Sequence, residues 1–469
     1  MNQVAQTIYD IVVVGGGIAG HCAAVQGAML GASVLLLEKM PEYGGSTAMC
    51  GGAFAFAGTG VQREQGIEDS PELLEKDLLT CGHHANDPAI VRAYAEHQYA
   101  SYLWLEELGL VFDNVTLNGG QSVPRLHSLD PQQMLRLLHD TLAKHGGHYQ
   151  ANARVKRLLH EGMGAQRRVV GVELDDGRRY AAQRGVVLAS GGFSRSQELV
   201  ARFAPQWMSS RPMGGLGNTG DGLRMAWALG ADMVDMGFTK GTYGAPAARP
   251  LPGTEELAPL LIHTMYKGGI VVNLDGDRFV DESLSYKDIG EECLRQRQAT
   301  GVQIFDQKVM DQSAPFPTVD NYPAAMEAGF IQRADSIADL AKKMNLPPAA
   351  LERTVDRYNA FCEGREPDLM GRTSLTGGFG HPPAIVNGPF YAIACIPGLN
   401  TTFCGLHTDA NARVLDVFGE VIDGLYAAGE IMGGLHGASY LSGSSLAKGC
   451  IFGRLAAFDA AGRTVTAKG

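Results

Sequence analysis

The stretch from Asp10 to Lys39 limits what this chain can fold into more than any other. Ile11 to Val14 is an apolar run that stops at glycines, and Cys22 to Leu30 is rich in Ala, Gln, Met and Leu, so a strand is expected to pass into a helix. Between them Gly15, Gly17 and Gly20 spell G-x-G-x-x-G. In that pattern the first glycine permits a tight turn, the second lets backbone approach a pyrophosphate, and the third lets helix pack on strand. The helix N-terminus then turns unpaired N–H groups towards the phosphates. A second apolar strand, Ser33 to Leu37, ends in Glu38, about 20 residues on, where this motif sets an acid for a ribose hydroxyl. A lone glycine pattern is weak; strand, glycines, helix, second strand and terminal acid in register predict a dinucleotide-binding α/β domain.

A chain of 469 residues exceeds one ordinary domain, so two are expected. Its formal charge of −11 argues against a nucleic-acid partner. The eight cysteines are scattered with no C-x-x-C pair and read as reduced, mostly buried thiols of a cytoplasmic protein. The start of the chain shows no basic region followed by an apolar run and a cleavage site, and no apolar stretch reaches about 18 residues, so no membrane insertion is expected. Thirteen histidines without an H-x-x-x-H or comparable cluster give no reason to expect a metal.

Pro41 to Gly52 is a loop of small residues, too rich in glycine for a core element, and is expected to lie against a ligand. Helices are expected at about 70–80 and 88–108, the second opening at Asn86-Asp87-Pro88. Val169 to Tyr180 reads as a hairpin turning at Asp176-Gly177, Gly185 to Phe193 as a buried strand ending in glycines, and Gly217 to Gly222 as the start of a helix running to Gly230. Composition shifts over 238–400, where a turn at Asp275-Gly276 and helices at 335–345 and 348–363 are expected. From Gly424 the texture returns to strand and glycine, with a final helix to about 461. The expected division is 1–237, 238–400 and 401–469, the middle part being an insertion.

With both ends read, the sequence resembles the FAD-dependent fumarate reductase and succinate dehydrogenase flavoprotein superfamily. The resemblance spans the chain: the fingerprint, Gly44-Gly45-Ser46, Ala189-Ser190-Gly191-Gly192, Thr219-Gly-Asp-Gly, Arg278-Phe-Val-Asp-Glu282, and Ala428-Gly-Glu430 through Gly437. It implies an α/β fold with a Rossmann-like FAD-binding domain in two chain segments and an inserted α+β capping domain, substrate lying between cap and flavin. It also implies FAD-binding residues: Gly15, Gly17, Ile18, Ala19 and Gly20 of the fingerprint, Glu38 and Lys39 after the second strand, and Gly44, Gly45, Ser46, Thr47, Gly51 and Gly52 of the small-residue loop. Further along, Val155, the turn Ala189, Ser190 and Gly191, then Asp221, Glu430, Ser445 and Leu446 complete the set. Relatives that attach FAD covalently use a histidine where this chain has Gly45, so the resemblance implies non-covalent FAD.

The departures from the family pattern bear on chemistry. Members acting on fumarate carry an arginine proton donor shortly after the R-F-V-N-E motif, where this chain has Tyr286, and a carboxylate-binding arginine in H-G-A-N-R-L, where this chain has Tyr440. Losing both cations removes the fork geometry suited to a dicarboxylate. Tyrosines at both places, with Tyr440-Leu-Ser442-Gly443, are similar to the ketone desaturases, notably the 3-ketosteroid 4-dehydrogenases. That resemblance implies that Tyr440 hydrogen-bonds the substrate carbonyl while Tyr286 and Ser442 handle the proton. Neutral donors aimed at a developing enolate oxygen ease loss of the α-proton, the β-hydrogen leaving as hydride to flavin.

A phenol needs help to act as base near neutrality, and Lys287 is a candidate by adjacency alone. His436 is expected to pack beside the flavin, and Arg125 and Arg249 are candidates for an acidic substrate tail. The last helix, opening at Ser444-Ser445, would present its positive end to the flavin pyrimidine, with Ser445 as a possible N-cap. The ketone desaturase, acting on a 3-ketosteroid or a small cyclohexanone-type ring with or without a carboxylate, stands against two alternatives: a fumarate reductase-like enoate reductase, and a flavin binder without catalysis. The electron acceptor is not legible.

Overall fold

A computed structural model describes residues 7–112, 114–254, 261–313, 319–375 and 380–463. They form two compact units, the first from 7–204, 214–239 and 401–463, the second from 205–213 and 240–400 with the same omissions.

The first unit is built on an eight-stranded sheet. Its strands lie in the order Arg413–Leu415, Val421–Ala427, Arg168–Leu174, Arg179–Leu188, Thr7–Val14, Val34–Leu37 and His148–Gln150, with Val155–Glu161 added on Arg168–Leu174. Thr7–Val14 runs parallel to both neighbours, Val14 facing Leu37 on one side and Leu188 on the other. Ile11, Val12, Val13 and the whole of Val34–Leu37 are buried, as expected of a parallel sheet covered on both faces. The strand thus begins four residues before the apolar run, and the helix Ile18–Met29 begins four residues before the Ala-rich run.

The chain's last helix, Ser444–Ala460, packs on Ile18–Met29. Gly449 and Gly453 make this possible, since a Cβ on Gly453 would stand 2.5 Å from the Ala19 carbonyl oxygen and one on Gly449 2.9 Å from the Ile18 side chain. Helices at Pro71–Cys81 and Pro88–Glu107 begin at Ser70 and Asp87, whose side chains accept from the first-turn N–H groups. The helix after Gly220 is shorter than expected, Asp221–Trp227.

The second unit centres on the strand Phe390–Leu399, which pairs with Gly301–Asp306, Ile331–Ala334, Thr242–Pro246 and Arg211–Pro212; Ile270–Val272 pairs with Gly301–Asp306. The short segment 205–213 joins this unit because Arg211 and Pro212 pair with Gly398 and Leu399. Helices Ile337–Lys343 and Pro348–Cys362 pack over the sheet. All eight cysteines are free, five of them buried. Among the described residues no helix is long and apolar enough to cross a membrane, and no cluster of His, Cys, Asp or Glu could hold a metal.

Candidate active site

The carboxyl ends of the three parallel strands at Val14, Leu37 and Leu188 bring the glycine loop, Glu38 and the Ala189-Ser190-Gly191 turn to one edge of the sheet, where ligands bind in open α/β folds. Gly15 has φ +114°, and a Cβ there would stand 2.3 Å from the Ala189 carbonyl oxygen, so only glycine fits. At Gly20 a Cβ would stand 1.8 Å from the Gly15 carbonyl oxygen, the close helix–strand approach expected of the third glycine.

Around this edge the polar groups interlock. The Glu38 carboxylate accepts from the N–H groups of Gly16 at 2.7 Å and Met40 at 2.8 Å. The small-residue loop contains one helical turn, Gly45–Ala48, in which Thr47 is buried and its hydroxyl accepts from the Ile18 N–H at 3.1 Å. The Ser46 hydroxyl accepts from the Gly215 N–H at 2.9 Å. Lys39 donates to Thr219 at 2.6 Å and to Asp221 at 3.0 Å. Burial works to raise the Asp221 pKa, but the hydrogen bond and charge of Lys39, with Thr219 and Arg154, outweigh it and hold the carboxyl below its ordinary value. Val155 is buried at the start of its strand. On the far side Asn218 and Thr402 both donate to the Glu430 carboxylate, at 3.1 and 2.9 Å.

This edge fits an FAD. The helix Ile18–Met29 opens at Gly17, which has no side chain to cap it, Thr47 serving only the Ile18 N–H; apart from chain neighbours, no atom of the described residues lies within 4 Å of where a Cβ on Gly45 or Gly51 would stand; and the buried Ser190 Oγ and Asn218 Oδ1 have no hydrogen-bond partner among the described residues. Uncapped N–H groups and orphaned buried polar atoms are what a polar dinucleotide would satisfy.

Tyr440 and Ser442 sit together just before the last helix. The N-cap of that helix is Gly443, at φ +86°, and not Ser445; a Cβ on Gly443 would meet the Ala55 nitrogen at 2.8 Å, so the turn demands glycine and Ser445 falls inside the first turn. Tyr440 is half-buried. Burial raises its hydroxyl pKa, and Ser445 and Gly443 at the start of the last helix work in the opposite direction. His436 is buried beside it, ring centroids 5.3 Å apart, its Nδ1 3.4 Å from the Ser444 hydroxyl. Leu446 is buried in the core of this unit. Four residues into the helix, Lys448 is buried and donates to the Met432 carbonyl, and burial pushes its ammonium down to about 8. Sequence reading missed Lys448, which had only its place in a small-residue helix to mark it.

Arg125 corrects an expectation. It is fully buried, its guanidinium donating to Asp69 at 2.8 and 3.1 Å and to Asp77 at 2.5 Å, so its fork is spent inside the protein and does not serve a substrate tail. Asn218 and Thr402 were also missed as partners of Glu430; the polar run Asn400-Thr401-Thr402 was the available signal.

Tyr286 belongs to the second unit. It is the first residue of the helix Tyr286–Leu294, half-buried, with its ring 5.4 Å from that of His263 and the Lys287 ammonium 5.4 Å from its ring centroid. Lys287 is therefore a neighbour in space as well as in sequence. His263 donates from Nε2 to the Tyr243 carbonyl at 3.1 Å, and burial lowers its pKa. Arg249 lies exposed in the same unit.

Comparison with known proteins adds the family. A family model described as an FAD binding domain matches residues 10–446. The chain is 32% identical to an NADH:fumarate oxidoreductase of Klebsiella pneumoniae (strain 342), over 98% of this chain and 48% of the relative, so it spans about half that relative's length. Among solved structures it is similar to the open conformation of a flavocytochrome c3 fumarate reductase (TM-score 0.83, 28% identity, 98% of this chain and 79% of the other). It is similar also to a 3-ketosteroid-delta4-(5alpha)-dehydrogenase from Rhodococcus jostii RHA1 (TM-score 0.77, 27% identity, 98% of each chain).

Proposed function

This chain belongs to the FAD binding domain family, within the fumarate reductase and succinate dehydrogenase flavoprotein superfamily, and from that premise we propose that it is a ketone desaturase. It is an FAD-dependent oxidoreductase of a family that acts on carbon–carbon bonds. The proposed reaction introduces a double bond next to the carbonyl of a cyclic ketone, a 3-ketosteroid or a smaller cyclohexanone-type ring.

The observation that supports this reading is Tyr440, a neutral donor at a helix N-terminus where fumarate-reducing members carry a cation. A ketone oxygen gains negative charge as the α-proton leaves, and a hydroxyl backed by backbone N–H groups stabilises that charge without attracting a dicarboxylate. When bound, FAD supplies the acceptor for the hydrogen leaving the β-carbon. Tyr440 donates to the carbonyl oxygen, and Tyr286 and Ser442 are the proposed proton handlers, Tyr286 having Lys287 as its adjacent cation. FAD is held without a covalent bond, Gly45 offering no side chain for attachment.

The similarity to fumarate reductases favours a second reading, an enoate reductase using the same residues towards saturation. A panel of 3-ketosteroids, cyclohexanones and cyclohexanone carboxylates, assayed with an artificial dye as acceptor and with products weighed for loss of two hydrogens, separates them. Dye reduction by a cyclic ketone supports the desaturase; inert ketones with efficient fumarate reduction would support the reductase.

A further inference from the structure

Every polar group of Ser442 is engaged by one short exposed segment more than 300 positions earlier in the chain. The Ser442 N–H donates to the Gly119 carbonyl at 2.9 Å, its carbonyl accepts from Gln121 Nε2 at 2.9 Å, and its hydroxyl donates to Asn118 Oδ1 at 3.2 Å. We propose that Asn118 to Gln121 is a strap that positions Ser442 and commits the hydroxyl proton to Asn118, leaving the oxygen lone pairs as acceptors. The inference rests on Ser442 being a proton handler, as in the preceding reading.

The strap is itself well defined. Its turn is closed by the Gln121 N–H on the Asn118 carbonyl at 3.2 Å, by Asn118 Oδ1 accepting from the Gly119 N–H at 2.7 Å, and by Gln121 Oε1 accepting from the Asn118 N–H at 3.0 Å. Its far end is tied down, since the N–H and hydroxyl of Ser122 both donate to Asp77, at 2.8 and 2.7 Å, and Asp77 is paired with the buried Arg125. Two glycines let it approach: a Cβ on Gly120, at φ +84°, would stand 2.7 Å from Cys81 Sγ and 3.1 Å from Leu441 Cα, and one on Gly119 3.4 Å from Ser442 Oγ. A serine hydroxyl has one proton. While Asn118 Oδ1, also held by Gly119, accepts that hydrogen bond, the Ser442 oxygen offers its lone pairs to a donor and does not itself compete as one. That polarity suits a serine that accepts a hydrogen bond from, and so orients, the group that takes the substrate proton, and would oppose one that has to protonate the substrate.

The test is a double-mutant cycle on the FAD-loaded protein with Asn118→Ala, Ser442→Ala, the double variant and Asn118→Asp, reading anaerobic flavin reduction by an active ketone across pH. Asn118→Ala should slow reduction by about tenfold, the worth of one hydrogen bond, and displace its pH profile, with ligand affinity kept. The double variant should be no slower than Ser442→Ala alone, because Asn118 acts through Ser442. Asn118→Asp, which still accepts the serine proton, should restore most of the rate. Additive losses, or an Asn118→Ala rate and profile equal to the parent's, would overturn the proposal. If no ketone reduces the parent flavin, the desaturase reading falls by itself, and hydrogen exchange decides the strap. Gln121→Ala should then speed exchange in 115–123 and 438–446 together, and unchanged exchange in 438–446 would overturn it.

Discussion

The ring of Tyr440 lies face to face with that of Phe403, the centroids 5.8 Å apart and the planes 13° from parallel. With His436 on another side, the phenol has little freedom to swing away from the helix N-terminus. Tyr440→Phe keeps the stack and removes only the hydroxyl. Loss of a single donor to a developing oxyanion should lower ketone turnover on the order of 10²–10³. FAD content measured by absorbance should equal the parent's.

Tyr286→Phe should fail differently. The ring keeps its place beside His263, so a ketone ligand should still perturb the oxidised flavin spectrum with parental affinity, while flavin reduction nearly stops because a lost base appears chiefly in kcat. A variant that reduces its flavin at the parental rate makes Tyr286 a packing residue.

Precipitation with acid should release all the flavin as intact FAD. Gly45 stands where covalent members have a histidine, and apart from its chain neighbours no atom of the described residues lies within 4 Å of where its Cβ would be. Flavin absorbance remaining on the washed polypeptide would contradict this.

Arg125 is expected to matter for folding and not for substrate affinity. Arg125→Met would leave Asp69 and Asp77 buried without their cation, a loss of about 3–5 kcal/mol in urea denaturation. In the surviving folded protein KM for a carboxylated ketone should be unchanged; a selective rise in KM would return Arg125 to substrate binding.

Stability should fall with acid between pH 6.5 and about 4. His127 is buried neutral, Nδ1 donating to the Arg125 carbonyl at 2.9 Å and Nε2 accepting from the Thr59 hydroxyl at 2.8 Å, and burial lowers its pKa from 6.5 to about 4. Its folded pKa is depressed, so in that window the unfolded chain binds the proton and the folded chain does not. The contribution is therefore present above pH 6.5 and lost on acidification, by about 3 kcal/mol. His21, also buried and lowered to about 4, adds a loss of the same sign. Urea midpoints should drop between pH 7 and 4.5, and His127→Gln should show a smaller drop than the parent.

Local pattern carried much of the fold. The fingerprint strand and helix, the Asp176-Gly177 hairpin and the helices Pro71–Cys81 and Pro88–Glu107 have periodicity, caps or turn residues within a few positions of one another. What was not legible depends on distant partners or on backbone angles. Arg125 reads as an exposed cation until Asp69 and Asp77, 56 and 48 positions away, are brought to it. Ser445 reads as an N-cap until the left-handed Gly443 takes that position. The hold of Asn118 and Gln121 on Ser442 spans more than 300 positions and leaves no periodic trace.

The desaturase account is tested most directly by mixing the oxidised, FAD-loaded protein anaerobically with a cyclic ketone and following the flavin absorbance. It predicts that the flavin bleaches as the ketone loses two hydrogens, and that the bleached protein is not reoxidised by fumarate. A flavin that stays oxidised with every ketone, while the chemically reduced protein is rapidly reoxidised by fumarate, would contradict it.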